Sequence, residues 1–151
     1  IHTEMIRRDD LSLCNDEGLS IRQRKNEDLK QRLRKITGIS NAVFISIHQN
    51  SFPEDSSCHG AQVFFSDNNA ESKKLAEEIQ TMLTGKIDTT NKRVEKKAPD
   101  TVFLMNKVKC PAVLVECGFL TNEKELDLLV DNSYQIKLAA GIFSGYLKYK
   151  K

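Results

Sequence analysis

Two continuous apolar runs constrain the fold of this 151-residue chain more than any other feature. The run AVFISIH spans residues 42–48, and the run AVLVE spans residues 112–116, directly after Pro111. Both lack the alternation of apolar and polar residues that is typical of a strand exposed on one face. Each therefore predicts a strand that is buried on both faces of a parallel sheet. Proline suits the first position of such a strand.

The segments around these runs alternate in type, which places the chain in the α/β class. Apolar residues at helical spacing predict helices over 20–36, 70–84 and 123–130 and from 133 onward, and AQVFF predicts another strand over 61–65. Gly38 and Gly85 are expected to end the first two helices, and Asn122 to cap the third. Residues 101–107 fit either a strand or a short helix. We predict one domain over 1–151, with three layers and a mostly parallel sheet flanked by helices.

The first and last helices each have a predicted core-facing side. In the first helix these residues are Ile21, Leu29, Leu33 and Ile36, and in the last they are Ile136, Ala139, Ala140, Phe143 and Leu147.

Charge and hydropathy argue against two classes of partner. The chain has 23 Lys+Arg and 21 Asp+Glu, a formal net charge of +2, which is too small for a nucleic-acid-binding face. The densest basic stretch, residues 91–97, predicts a solvated loop. No apolar run approaches the roughly 20 residues that span a bilayer. The segment IHTEMIRRDD is not a secretory signal, so we expect any export signal to be removed or to lie upstream of Ile1.

Polar side chains follow both buried strands. His48 is the polar side chain at the carboxyl end of the run 42–48, on the same face as Ser46. Glu116 is likewise the first charged residue of the run 112–116. Because ligands of parallel α/β sheets gather at the carboxyl ends of the strands, we expect both side chains at one rim. A histidine at a strand end is more often a hydrogen-bonded structural residue than a metal ligand. The glutamate favours a functional role, because burying a carboxylate is costly unless it is paired or coordinated.

The cysteines suggest two rival sites. Cys117 could act as a nucleophile with His48 or His59 as its base, although neighbouring residues of a strand face opposite ways. A zinc site could combine Cys58, His59, Cys110 and Cys117, although the adjacent Cys58 and His59 lack the usual spacing. Four cysteines (Cys14, Cys58, Cys110 and Cys117) without a CxxC motif leave the disulfide state open.

Longer motifs around His48 and Glu116 resemble a known family. The segments FISIHQNS and AVLVECGFLTNEKE resemble the SIHxN and VExGFxxNxxE motifs of the amidase-3 type of N-acetylmuramoyl-L-alanine amidases. Leu29 and Arg32 match an LxxR motif, Gly60 matches the glycine before the next strand, and Met5-Ile6-Arg7 resembles an MTR strand end. Residues 24–28, with Arg24, Lys25, Glu27 and Asp28, resemble more narrowly the sporulation amidases of spore-forming bacteria.

The resemblance implies a zinc-dependent enzyme that cuts the bond between N-acetylmuramic acid and L-alanine in peptidoglycan, in spore-cortex maturation outside the cytoplasm. His48 would be a zinc ligand and Glu116 the catalytic carboxylate. Arg32, Asn50, Gly118 and Asn122 would support the site, with Gly118 letting the chain leave the strand. Peptidoglycan would be the substrate, and an accessory protein is a possible partner.

A catalytic zinc site needs three protein ligands, and the sequence offers His48 alone as a clear one. The family's other two, a histidine in a GHGG-like loop and a glutamate, are expected upstream of Ile1 in a missing βα unit of roughly 30 residues. One alternative is a non-catalytic domain that binds peptidoglycan or a partner. Another is replacement by His2 and Glu4 on a strand over 1–6. A chain without that unit is expected to be poorly stable alone, since its sheet would have an unpaired edge.

Overall fold

The computed structural model describes residues 1–151 and shows a four-stranded sheet between two layers of helices. The helices are α1 (Ile21–Thr37), α2 (Glu71–Met82), α3 (Phe103–Lys107), α4 (Glu123–Val130) and α5 (Asn132–Tyr149). The strands are β1 (Phe44–Asn50), β2 (Gln62–Phe65), β3 (Lys96–Lys97) and β4 (Ala112–Phe119). The predicted three-layer α/β class is confirmed. No helix is both long enough and apolar enough to cross a membrane.

The strand order is β1-β4-β2-β3. β1 runs parallel to β4, and β2 runs parallel to β3, whereas β2 is antiparallel to β4. Two of the three pairings are parallel, and the sheet is mixed, with β1 and β4 running opposite to β2 and β3. The two long apolar runs are direct neighbours.

Each face of the sheet buries its own core. On one face Phe44, Ala112 and Leu114 pack against Ile36 of α1 and Met105 of α3. The opposite face packs against α2, α4 and α5 through a larger cluster, which includes Val63, Val113, Val115, Leu75, Ile79, Leu129, Leu138 and Ile142. Burying these branched and aromatic side chains supplies about 1.5–3 kcal/mol each and holds the layers together.

Burial on both faces holds for β4 but not for β1. Seven of the eight residues of β4 are buried, the exception being Glu116. β1 lies at the edge of the sheet, and Ile47 is 58% exposed. An apolar run cannot distinguish a central strand from an edge strand, because the difference lies in which neighbours the fold provides.

The last helix buries a different face from the predicted one. Ile136 and Phe143 are 60% and 51% exposed, while the core-facing side consists of Leu138, Gly141, Ile142 and Gly145. The reason is close packing between α5 and α2, where a Cβ on Gly145 would lie 2.5 Å from the Ile79 Cα. Glycines form part of the contact surface of α5, and a prediction based on the spacing of large apolar residues does not detect them.

Two smaller predictions about helices are also corrected. Ile21 opens α1 but is 78% exposed, because the core lies under the other end of the helix at Ile36. Gly85 does not end α2, since the chain continues as a π-helical turn over Leu83–Ile87. Residues 101–107 contain α3, which settles that ambiguity in favour of a helix.

Candidate active site

The parallel pairing of β1 and β4 brings His48 and Glu116 together. Their Cα atoms are partners in the register, so both side chains leave the same face of the sheet, towards α1. A second register places Gln62 of β2 opposite Glu116 on its other side. Side chains in neighbouring positions of adjacent strands lie about 5 Å apart at Cβ. The three residues thus form one row across three strands.

Glu116 lies at the centre of this row, in a half-buried position. Its Oε2 atom is buried and has no hydrogen-bond partner, and it is the one buried side-chain oxygen or nitrogen in the chain without a partner. Burial raises the pKa of the Glu116 carboxyl above its ordinary value. Glu116 is therefore suited to accept and return a proton.

His48 has the opposite tendency. Desolvation lowers the pKa of its imidazole, and the positive charge of Arg32 lowers it further. Both effects favour the neutral ring at pH 7, which is the form that binds metal ions. His48 is also exposed, so a nitrogen of its ring is open to a ligand.

Arg32 is held beside the rim by Asp28. The Arg32 Nε donates to Asp28 Oδ2 at 2.5 Å, one turn earlier on α1. The other oxygen of Asp28 accepts from the Leu13 N–H at 2.7 Å and from the Ser12 hydroxyl at 3.0 Å. Although burial opposes it, hydrogen bonding, first from Arg32, lowers the pKa of Asp28. The Asp28 carboxylate thus fixes both Arg32 and the segment before α1.

The two asparagines fasten loops next to the rim. The Asn50 carbonyl accepts from the Leu120 N–H at 2.8 Å, which joins the ends of β1 and β4 beyond a bulge. Asn122 caps α4 by accepting from the Glu125 N–H, and its amide donates to the Ser56 carbonyl at 3.0 Å. Both residues hold loops beside the rim in place through hydrogen bonds.

Gly118 has a different environment from the predicted one. β4 continues through it to Phe119, so the chain does not leave the strand there. A Cβ at Gly118 would lie 3.0 Å from the carboxylate of Glu125. That buried carboxylate accepts N–H groups from Gly60 at 2.9 Å and from Phe119 at 2.8 Å. Sequence reasoning overlooked Glu125, although a charged residue that closes a recognised motif is a usable signal.

Gln62 is the other residue that the sequence reading missed. It is 2% exposed and stands opposite Glu116. Its signal is a single amide at the start of the apolar segment AQVFF, which cannot be buried without partners.

The cysteine alternatives do not fit the structure. Cys117 points into the core on the face opposite Glu116, and burial raises the pKa of its thiol to about 11. Such a thiol is not a nucleophile at neutral pH. Cys58, His59, Cys110 and Cys117 form no metal-binding group, and all four cysteines are free thiols.

The N-terminal alternative also fails. Residues 1–20 contain no strand, so the strand assumed over 1–6 and the MTR-like strand end at 5–7 are absent. His2 is 90% exposed at its side chain and faces Glu4 at 3.9 Å. No group of three His, Cys, Asp or Glu side chains anywhere in 1–151 could hold a metal ion. At the rim, the chain offers the neutral imidazole of His48 and the unpartnered oxygen of Glu116.

Known proteins resemble this chain over most of its length. The family model for N-acetylmuramoyl-L-alanine amidase (Amidase_3) matches residues 1–148. The germination-specific N-acetylmuramoyl-L-alanine amidase of Bacillus subtilis is 36% identical over 145 residues, which cover 96% of this chain and 60% of that protein. The amidase LytC of the same organism is 29% identical, covering 99% of this chain and 30% of that protein. The chain thus spans less than two thirds of these relatives.

Solved structures give the same result. The CwlD amidase of Clostridioides difficile, in complex with the GerS lipoprotein, superposes with a TM-score of 0.89 at 43% identity, covering 95% of this chain and 72% of that one. The amidase AmiC2 of Nostoc punctiforme superposes with a TM-score of 0.71 at 29% identity, covering 80% of this chain and 64% of that one. With its fold and its sequence in agreement, the chain belongs to the Amidase_3 family of N-acetylmuramoyl-L-alanine amidases.

Proposed function

We propose that this chain carries the catalytic carboxylate of a zinc-dependent amidase that hydrolyses the bond between N-acetylmuramic acid and L-alanine. The observation that carries this proposal is the Glu116 carboxyl, which stands beside His48 with an unpartnered buried oxygen and a raised pKa. A structural carboxylate would be expected to have hydrogen-bond partners, as Glu125 does.

His48 is the residue in 1–151 that would hold the metal, and its further ligands would come from sequence outside this range. A bound zinc ion would polarise the carbonyl of the scissile amide and lower the pKa of a water molecule. Glu116 takes the proton of the attacking water and returns it to the leaving amine of L-alanine. Arg32, fixed by Asp28, favours the neutral form of His48.

We place this activity outside the cytoplasm, in the maturation of spore-cortex peptidoglycan. Support comes from the relative in B. subtilis, which is described as germination-specific. Peptidoglycan itself lies outside the cytoplasmic membrane, so an enzyme acting on it must be exported.

We also propose that an accessory protein binds the enzyme. The support is the CwlD structure, in which the amidase is in complex with the GerS lipoprotein. Co-purification of this chain's full gene product with a lipoprotein of that kind from the same organism would test the pairing. Separate elution of the two proteins at high concentration would contradict it.

A second candidate is a non-catalytic domain that binds peptidoglycan or a partner. It is favoured by one observation, that no three metal-binding side chains converge within 1–151. The two candidates differ in whether stem peptides are released from the glycan.

Glu116→Gln is the decisive substitution. We expect it to lower stem-peptide release from purified peptidoglycan by about 10²- to 10⁴-fold, because general acid–base catalysis contributes that much. The measurement uses the full gene product and the 151-residue chain in parallel. Glu123→Gln, which alters an exposed carboxylate on α4, is the matched control and should retain activity. Unchanged release by Glu116→Gln would exclude the catalytic role.

His48 has a separate test that needs no turnover. We expect His48→Ala to lower the zinc content of the purified full gene product, with Gln49→Ala as the control on the same strand. Undiminished zinc binding by His48→Ala would exclude the ligand role. Release of stem peptides by neither the full product nor the chain would favour the non-catalytic candidate.

A further inference from the structure

Of the basic stretch 91–97, residues 91–95 form a loop as predicted, whereas Lys96 and Lys97 form β3. The loop is anchored in the protein by its first residue. Asn91 is 4% exposed, and its amide donates to the Ala61 carbonyl at 2.8 Å. It packs on Gly60, which has φ of +92°, and a Cβ there would lie 2.6 Å from the Asn91 Cγ. The loop is therefore fixed to the residues that lead into β2.

This attachment places Arg93 beside the catalytic row. The Arg93 Nη1 lies 3.4 Å from the Gln62 Oε1, and Gln62 is the register partner of Glu116. Neighbouring strands are about 4.8 Å apart, so Arg93 lies one to two strand spacings from Glu116. It lies on the side of Glu116 that is opposite to His48.

The guanidinium of Arg93 is oriented by three contacts, none of which is with a carboxylate. Its Nε donates to the His59 carbonyl at 2.8 Å, and its Cζ lies 4.8 Å from the centre of the Phe119 ring. With the Gln62 contact, these interactions fix the plane of the group and leave Nη2 without a hydrogen bond. Arginine is the residue that best suits partly buried ion pairs with carboxylates, and Arg93 has no acidic partner within the chain.

Arg93 lines a cleft that contains cations and no acids. Its lining includes His59, Gln62, Lys92, Arg93 and Lys96, and no Asp or Glu. Glu95, the one carboxylate of residues 91–97, does not line it. The cleft, which we call the basic cleft, fits an anionic group. Glu116 and His48 do not line it, and Gln62, the register partner of Glu116, connects it to the catalytic row.

We propose that the basic cleft, through Arg93, binds the stem-peptide carboxylate that lies one residue beyond the scissile amide. This inference rests on the amidase function proposed above. In peptidoglycan a D-glutamyl residue follows L-alanine, so a carboxylate lies one residue beyond the bond that is cut. One extended residue spans about 3.3–3.8 Å, and a side chain adds to that reach, so the carboxylate can extend over the one to two strand spacings between Glu116 and Arg93. The planar guanidinium fork matches a carboxylate, whereas a neutral sugar offers no charge.

The substrate preference tests this inference. Two muramoyl peptides are compared, one with the free carboxylate on its second residue and one with that group amidated. The wild-type full gene product should show a kcat/KM about 10- to 100-fold higher for the free acid, because charge-assisted hydrogen bonds contribute that much. Arg93→Gln should bring the two values together by lowering only the value for the free acid. Arg93→Lys, which keeps the charge but not the fork, should retain part of the preference.

Lys97→Gln is the matched control. The Lys97 Nζ pairs with Asp67 at 2.9 Å and does not line the basic cleft, so this substitution should keep the full preference. Thermal unfolding identifies any loss of fold in the Arg93 variants. Should Arg93→Gln fail to fold, Arg93→Lys and the wild-type preference decide the question.

A binding measurement separates this inference from the proposed function. The same full-length proteins are titrated with the released stem peptide and its amidated form, and binding is followed by NMR chemical shifts. Tighter binding of the free acid, lost in Arg93→Gln, would support the basic cleft even if no amide were cut. An equal effect of Arg93→Gln on both peptides, or no preference in the wild type, would overturn it whether or not the protein is an amidase.

Discussion

At the scale of single residues, Asp28 decides how the N-terminal segment and Arg32 are held. Its carboxylate accepts from Arg32, from the Leu13 N–H and from the Ser12 hydroxyl. We expect Asp28→Asn to lower the free energy of unfolding by about 2–3 kcal/mol, because it leaves buried donors without their charged partner. Urea denaturation at neutral pH measures this loss, and Asp127→Asn, on an exposed position of α4, is the control.

The same residue predicts a pH dependence. Because the folded state lowers the pKa of Asp28, the ionised carboxylate is favoured by folding. Its contribution is present above the unfolded value of about 3.9 and is lost as the pH falls through the lower folded value. The difference in unfolding free energy between wild type and Asp28→Asn should therefore shrink below about pH 4. A difference that stays constant down to the lowest pH would show that the carboxylate is not the stabilising group.

Residue-scale prediction from sequence succeeded where a side chain interrupts a regular pattern. His48 and Glu116 end apolar runs, and the parallel pairing of those runs brings the two together. Gln62 was missed although its amide interrupts the apolar segment AQVFF, because its place opposite Glu116 follows from the antiparallel pairing of β2 with β4. Arg93 was missed because its position depends on a loop held by the Asn91–Ala61 hydrogen bond across 30 residues of sequence. Local patterns contain no information about such a contact.

At the scale of elements, the packing of α5 on α2 depends on Gly145. A Cβ at this position would lie 2.5 Å from the Ile79 Cα, which is backbone and cannot move aside like a flexible side chain. We expect Gly145→Ala to force the helices apart and lower the free energy of unfolding by about 1–3 kcal/mol. Thermal or urea unfolding, followed by circular dichroism, measures the loss.

Gly85→Ala is the matched control for this packing. A Cβ at Gly85 would meet nothing within 4 Å, and the residue lies in a π-helical turn. Alanine has the higher helix propensity, so this substitution should leave stability unchanged or raise it slightly. Equal losses in both variants would show that helix spacing is not set by Gly145.

The same glycine explains why the buried face of α5 could not be predicted. Periodicity assigns the core side by large apolar residues, and Ile136, Phe143 and Leu147 satisfied that rule while lying exposed. The close approach of two helices favours small residues on the contact face instead. The position of α4 was predictable, because the Asn122 cap is a local feature of the chain.

At the scale of the whole molecule, the sequence predicts the layers of helices and strands, but it does not predict which strand lies at the edge of the sheet. Two apolar strands, alternating with helices, specify a sheet covered on both sides. Which strand lies at the edge depends on pairing, and here β1 pairs with β4 on one side and leaves its other edge without a strand. Ile47 on β1 and Phe52 just beyond it are 58% and 43% exposed.

This edge predicts how residues 1–151 behave in isolation. Unpaired backbone groups beside exposed apolar side chains are a template for pairing with a second chain. We expect the isolated chain to self-associate with rising concentration, as measured by sedimentation velocity. Ile47→Lys should increase the monomer fraction, because a lysine on an edge strand opposes pairing through desolvation and charge repulsion.

Ile21→Lys is the control. It removes an apolar side chain that is 78% exposed on α1 and leaves the strand edge intact, so it should not change the association. A wild-type chain that stays monomeric at all concentrations, or equal effects of the two lysines, would show that the edge of β1 is not the contact.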